Sequence, residues 1–99
     1  MNYRYEFEWD EEKDRLNQMK HGVSFEEAEK VFLDNKRVEI FDREHSLFEE
    51  RWKIYGFSGL KVLAVSFKER RGFIRLISAR KATKKEEEVY YGYGKAYIN

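Results

Sequence analysis

Residues 51–79 read RWKIYGFSGLKVLAVSFKERRGFIRLISA, and their pattern decides the fold. Three apolar runs, Arg51 to Phe57, Val62 to Phe67 and Phe73 to Ala79, are separated by Ser58-Gly59 and by the Glu69 to Gly72 segment. Short runs rich in β-branched and aromatic residues, broken at hairpin distance by glycine-bearing turns, predict consecutive antiparallel strands. An earlier run, Val38 to Phe41, adds a fourth strand to this meander. Between them, Asp42 to Glu50 (DREHSLFEE) is the longest expected loop.

Toward the N-terminus the period changes. Tyr3, Tyr5, Phe7 and Trp9 alternate with Arg4, Glu6 and Glu8, the signature of a half-buried strand near Tyr3 to Glu8. Asp10 is placed as an N-cap, Glu11 and Glu12 follow where the positive helix end favours acid, and Gly22 supplies a C-terminal stop. The spacing predicts a helix over about Glu11 to His21, with Trp9, Leu16 and Met19 as its apolar stripe. Ser24 and Glu27 form a capping box, Val23 and Ala28 a hydrophobic staple, and Phe25, Ala28, Val31 and Phe32 share a face, so a second helix spans about Phe25 to Leu33. Thr83 and Glu86 form another capping box, opening a last helix through about Tyr91. Together these elements predict an α+β fold: a mostly antiparallel sheet carrying two N-terminal helices, plus a C-terminal helix. The helices most simply occupy one sheet face and leave the other for function. A single domain over residues 1–91 and a Tyr-bearing tail over 92–99 complete the chain.

Composition sets the class. The chain of 99 residues is 41% hydrophobic, 17% aromatic and 39% charged, which suits one small domain with a modest core and a highly charged surface. It has no cysteine, so disulfides, thiol nucleophiles and cysteine metal sites are excluded, and two histidines are too few for a zinc assignment. No apolar run approaches the roughly 18 residues of a membrane span, and MNYRYEFEWD lacks the features of a signal peptide. A soluble, cytoplasmic protein is expected. Charge is divided along the chain: residues 1–50 hold 8 Lys and Arg against 15 Asp and Glu, net −7, and residues 51–99 hold 12 against 4, net +8. A basic half suits a polyanion and an acidic half suits self-association or a basic partner, unless the fold intermingles them.

Lys13, Asn17, Lys20 and His21 gather along one edge of the first helix. Two readings of them stand: a site that holds phosphate and moves a proton, or a solvated flank with a capping histidine. In FIRLISARK, strict alternation separates Phe73, Arg75, Ile77, Ala79 and Lys81 from Ile74, Leu76, Ser78 and Arg80. In ERWKIYGF, Arg51, Lys53, Tyr55 and Phe57 share a face. Arginine forks match phosphate and aromatic rings stack on bases, so such a face suits single-stranded RNA, although Lys and Arg also commonly guard sheet edges. A Walker loop, a GxGxxG fingerprint, a GxSxG elbow and HExxH are all missing. What remains is phosphoryl chemistry without metal or cofactor: a base drawing the ribose 2′-hydroxyl proton, cations stabilising the transition state, and an acid protonating the leaving 5′-oxygen. His21 is the candidate for one proton transfer. His45, in an acidic loop beside Glu44, reads as a surface residue.

The run Asp10, Lys13, Asn17, Lys20-His21-Gly22-Val23-Ser24-Phe25, then Glu50-Arg51-Trp52 with Gly56, then Arg75 to Thr83 (RLISARKAT), closely resembles the BrnT toxin family over about residues 5–91. The resemblance implies a RelE-like fold and a metal-independent endoribonuclease. It also implies that this toxin of a type II toxin–antitoxin pair cuts RNA to inhibit translation and is neutralised by a ribbon-helix-helix antitoxin of the BrnA kind. Carried onto this chain, it points to His21, Arg51 and Arg80 as catalytic and to Lys20, Arg75, Ser78 and Lys81 as RNA-binding, with no metal ligands. It also implies assembly as a dimer or as a heterotetramer with the antitoxin, and contact with operator DNA only through that antitoxin. The alternative is a non-catalytic binding or regulatory module that kept the toxin fold.

Overall fold

In the computed structural model the described residues are 5–96. Five strands form one sheet: β1 Glu6–Glu8, β2 Val38–Phe41, β3 Trp52–Phe57, β4 Val62–Arg70 and β5 Phe73–Lys81, in the order β1-β5-β4-β3-β2. The meander read from residues 38–79 is therefore present, with β2, β3, β4 and β5 antiparallel in sequence order. The β4–β5 hairpin runs longer than expected at both ends. It closes on Arg71 and Gly72, both left-handed at φ 52° and 85°, the two-residue turn whose twist matches flanking strands. β1 joins the outer edge of β5 in parallel, with Glu6 opposite Phe73 and Glu8 opposite Arg75. The expected start of that first strand, Tyr3 and Arg4, lies outside the described residues.

The helix signals act as expected at their starts. For α1, Glu11–His21, the Asp10 carboxylate accepts the Glu12 and Lys13 N–H groups at 2.8 and 3.3 Å, and Gly22 ends the helix at φ 69°. For α2, Phe25–Glu29, the Ser24 hydroxyl accepts the Glu27 N–H at 3.0 Å. The Glu27 carboxylate does not return to the cap; it accepts from the Ser58 hydroxyl at 2.8 Å and pins the β3–β4 turn. The chain then tightens into a 3₁₀ turn over Lys30–Leu33, so the expected second helix is two pieces. Val23, Phe25, Ala28, Val31 and Phe32 pack on Ile54, Leu63, Val65, Phe67, Ile74, Leu76 and Ala79, which gives the main core on one sheet face.

Two expectations are corrected. The stripe Trp9, Leu16 and Met19 meets this core only at its first member: Trp9 packs against it, but Leu16 is 49% and Met19 73% exposed, while Asn17 is the buried residue of the helix. Polar bonds hold α1 instead. The Asp14 carboxylate accepts the Phe25 N–H at 2.8 Å, and the Asn17 amide donates to the carbonyls of Val23 at 2.8 Å and Ala79 at 2.7 Å while its oxygen accepts the Ala79 N–H at 3.1 Å. Because β1 pairs only with residues 73–75, the side chain of Asn17 stands in for a missing strand further along the edge of β5. The second correction concerns α3, Lys84–Ala96, which packs on the opposite sheet face through Tyr90, against Val38, Tyr55, Val62, Ala64 and Ala82. It also runs past the expected end at Tyr91, carrying Gly92 and Gly94 inside it. Glycine costs a helix only about 1 kcal/mol relative to alanine, too little to stop one anchored by packing. The Tyr90 hydroxyl donates to Asp34 at 2.5 Å, and Asp34 also accepts the Phe57 N–H at 2.8 Å. α3 thus covers one end of the second face and leaves the rest open.

Candidate nucleic-acid interface

The open face owes its chemistry to one irregularity. β5 pairs with β4 through Lys68 and Arg75, Phe67 and Leu76, then Ser66 and Ser78, so a bulge leaves Ile77 without an opposite residue. Two residues facing one shift the alternation that follows. Arg75 and Arg80, which strict alternation sets on opposite faces, consequently share the open face with Ser78, whereas Ala79 turns into the core and Lys81 falls on the helix side. This is the arrangement that the sequence reading of FIRLISARK missed.

Register then assembles neighbours. On β3, Lys53 and Tyr55 face the same way, opposite Ser66 and Ala64, and Ser66 and Ala64 are in turn opposite Ser78 and Arg80. The Asp42 N–H donates to the Arg51 carbonyl at 2.9 Å, extending the β2–β3 ladder by one pair and setting Arg51 beside Lys68 and Arg75. Three cations on three adjacent strands lie within about 10 Å at the backbone. Phe57 and Phe73, 44% and 37% exposed, offer rings on this face.

Several of these cations already have carboxylate partners. Arg80 holds Glu86 through both fork nitrogens, at 2.6 and 2.9 Å, and the Thr83 N–H donates to the same carboxylate at 2.8 Å, closing the capping box of α3. The Arg80 guanidinium holds the Glu86 carboxyl down at about 2. Burial pushes the Tyr55 hydroxyl up, and the nearby charges of Glu86 and Asp42 push it the same way. Glu49 bridges Lys68 at 2.7 Å and Arg51 at 3.4 Å, and the bond from Lys68 holds its carboxyl low. Arg75 lies 3.9 Å from Glu8, and the buried Arg51 Nε has no hydrogen-bond partner among the described residues. An anion binding to these guanidinium and ammonium groups would have to displace those carboxylates.

The other residues singled out in the sequence lie elsewhere. α1 is fastened to β5 at Asn17 and Ala79; Lys20 and His21 follow one turn further along the helix, and Lys81 two residues further along the strand. Lys81 is on the helix side, opposite the core residue Leu63, and Lys20 and His21 close α1 beside the edge of β5, whereas Arg51 and Arg80 are on the open face. Asn17 is structural. His45, read as a surface residue, is on the surface but held: its Nδ1 lies 2.9 Å from the carboxylate of Asp42, a side chain only 7% exposed. A signal for it was present, since Val38, Ile40 and Asp42 follow period two and aim Asp42 at the open face, three residues before the histidine.

The N-terminal helical segments on one side of a five-stranded sheet, and cations, hydroxyls and rings beside α3 on the other face, define a small α+β protein whose open face suits a polyanion. Residues 9–86 match the family described as the ribonuclease toxin BrnT of type II toxin–antitoxin systems, and the chain belongs to that family. RNA is accordingly its substrate class and an antitoxin its partner. A search of curated proteins finds no match to it. Among the described residues, no helix is long and apolar enough to cross a membrane.

Proposed function

We propose that the protein is a RelE-like, metal-independent endoribonuclease of the cytoplasm that cuts RNA on the open sheet face and so arrests translation. The bulge in β5, which puts Arg75, Ser78 and Arg80 on the one face that also bears Arg51, in the row of Arg75, is the observation that carries this reading. Arg51 and Arg80 stabilise charge on the phosphoryl oxygens, and Arg75 and Ser78 hold the neighbouring strand. Lys20, His21 and Lys81, at the helix-side edge of β5, meet flanking phosphates. One observation favours the non-catalytic alternative: the fork of Arg80 is fully engaged by Glu86, as in a structural ion pair. Incubating purified protein with a defined RNA and with DNA of the same sequence, in EDTA and in magnesium, separates the readings. Cleavage of RNA alone, undiminished by EDTA, is expected. Cleavage only in magnesium would overturn the metal-independent reaction, and intact RNA in both buffers would leave a binding module.

The antitoxin, which we propose to be a BrnA-like ribbon-helix-helix protein, is assigned the acidic surface. A groove of about 730 Å³ is lined by Glu39, Glu49, Glu50 and Glu69 against Lys68 and Arg70, with Trp52 and Phe67, and its excess of acid suits a cationic segment bearing apolar side chains. Opposite potentials accelerate encounter, by about tenfold or more at low salt. Association with the cognate antitoxin, followed by stopped flow across ionic strengths, is therefore expected to slow as salt rises. Rates independent of salt would remove electrostatic steering from this interface.

A further inference from the structure

We propose that His45, oriented by Asp42, is the catalytic base of the cleavage reaction, an assignment that rests on the ribonuclease reading above. The geometry supplies the parts a base requires. The imidazole is 56% exposed, and its Nδ1 lies 2.9 Å from a carboxylate that is only 7% exposed; the neutral tautomer that donates Nδ1–H to Asp42 has the lone pair of Nε2 free to accept a proton. Asp42 itself cannot drift: its N–H donates to the Arg51 carbonyl at 2.9 Å, and the Ser46 hydroxyl donates to its carbonyl while accepting the Arg51 N–H at 2.9 Å. The loop that bears the histidine is thus stitched to Arg51. Ser46 already closes that loop, so the imidazole is not needed to close it. No side-chain hydrogen bond or ion pair orients the imidazole of His21 among the described residues.

The step balances without any oxidant or cofactor. Nε2 of His45 takes the proton of a ribose 2′-hydroxyl, and the freed oxygen forms a bond to the adjacent phosphorus. The bond from phosphorus to the 5′-oxygen breaks, its electron pair leaves with that oxygen, and a solvent proton completes the 5′-hydroxyl. The imidazolium faces Asp42 until it returns its proton to water. Arg51 faces the phosphoryl oxygens as their charge rises, and the upstream fragment ends in a 2′,3′-cyclic phosphate.

Single-turnover cleavage of a defined RNA by wild type, His45→Ala, Asp42→Asn and the neighbouring-loop control Glu44→Gln tests this. His45→Ala is expected to lose about 10²–10⁴ in rate and Glu44→Gln to stay near wild type. Affinity for an uncleavable 2′-deoxy analogue should remain within about threefold in His45→Ala, and added imidazole should restore part of its rate. Asp42→Asn, a positioning change, is expected to lower the rate at saturating RNA while leaving analogue affinity intact. If Asp42→Asn does not fold, His45→Ala still decides, because its side chain is exposed. A His45→Ala protein cutting within threefold of wild type overturns the proposal and leaves the ribonuclease reading standing; a folded wild type that cuts no RNA overturns both. A loss of cleavage that imidazole cannot restore and that tracks a loss of analogue affinity would assign His45 to binding and overturn its role as base.

Discussion

Asn17→Ala is expected to destabilise the protein by about 3–5 kcal/mol, because it strands three backbone groups at once. The Ala79 N–H, the Ala79 carbonyl and the Val23 carbonyl all pair with this one amide, which is 7% exposed. Each buried group left without a partner costs about 1–3 kcal/mol, and the total is a large share of the roughly 5–15 kcal/mol that holds a domain together. Urea denaturation should show a lower midpoint with an unchanged slope. Lys20→Ala, one turn away and exposed, should shift stability by no more than about 0.5 kcal/mol. Should folded Asn17→Ala match wild type in stability yet fail to cut RNA, Asn17 would return to the phosphate site that its spacing first implied.

Gly56→Ala is expected to cost about 1–3 kcal/mol, and Gly56→Val more, from overpacking. A methyl group at Gly56 would lie 2.8 Å from Val31 Cβ and 3.0 Å from the Val31 carbonyl oxygen. Val31 is fully buried within the 3₁₀ turn, so relief requires moving backbone. For a domain of about 100 residues each kcal/mol shifts the midpoint by about 4–8 °C, so thermal denaturation should resolve the alanine variant easily. An unchanged melting temperature would mean that the 3₁₀ turn yields at no cost.

The fold was readable where signals were local. Asp10, Ser24, Thr83 and Gly22 cap the helices as their types require, and Ser58-Gly59 and Arg71-Gly72 lie at the turns between strands. The apolar runs between turns in residues 51–79 placed three strands correctly because one face of each is built into the core, through Ile54, Leu63, Val65, Phe67, Ile74, Leu76 and Ala79. The parts that escaped were those set by tertiary context. Leu16 and Met19 form a stripe without being buried, since α1 is fastened by the amide of Asn17 and the carboxylate of Asp14. The bulge at Ile77 has no glycine to announce it, yet it decides which face receives Arg80. Asp42 and His45 were visible as a spacing, but only the turn of the chain toward Arg51 gives that spacing a use.

The parallel pairing of β1 with β5 also fixes when this protein can exist. Glu6 finds its partner in Phe73, 67 positions later, and Asn17 bonds Ala79 across 62. Such distant pairings are slow to form, and during synthesis the N-terminal elements must wait for the last strand to emerge. That strand also brings Arg75, Ser78 and Arg80, so a nascent chain that stops short of it has an open sheet edge and lacks half of its cationic face. On the open-face reading proposed above, the polypeptide gains its means of gripping RNA only as β5 emerges and pairs.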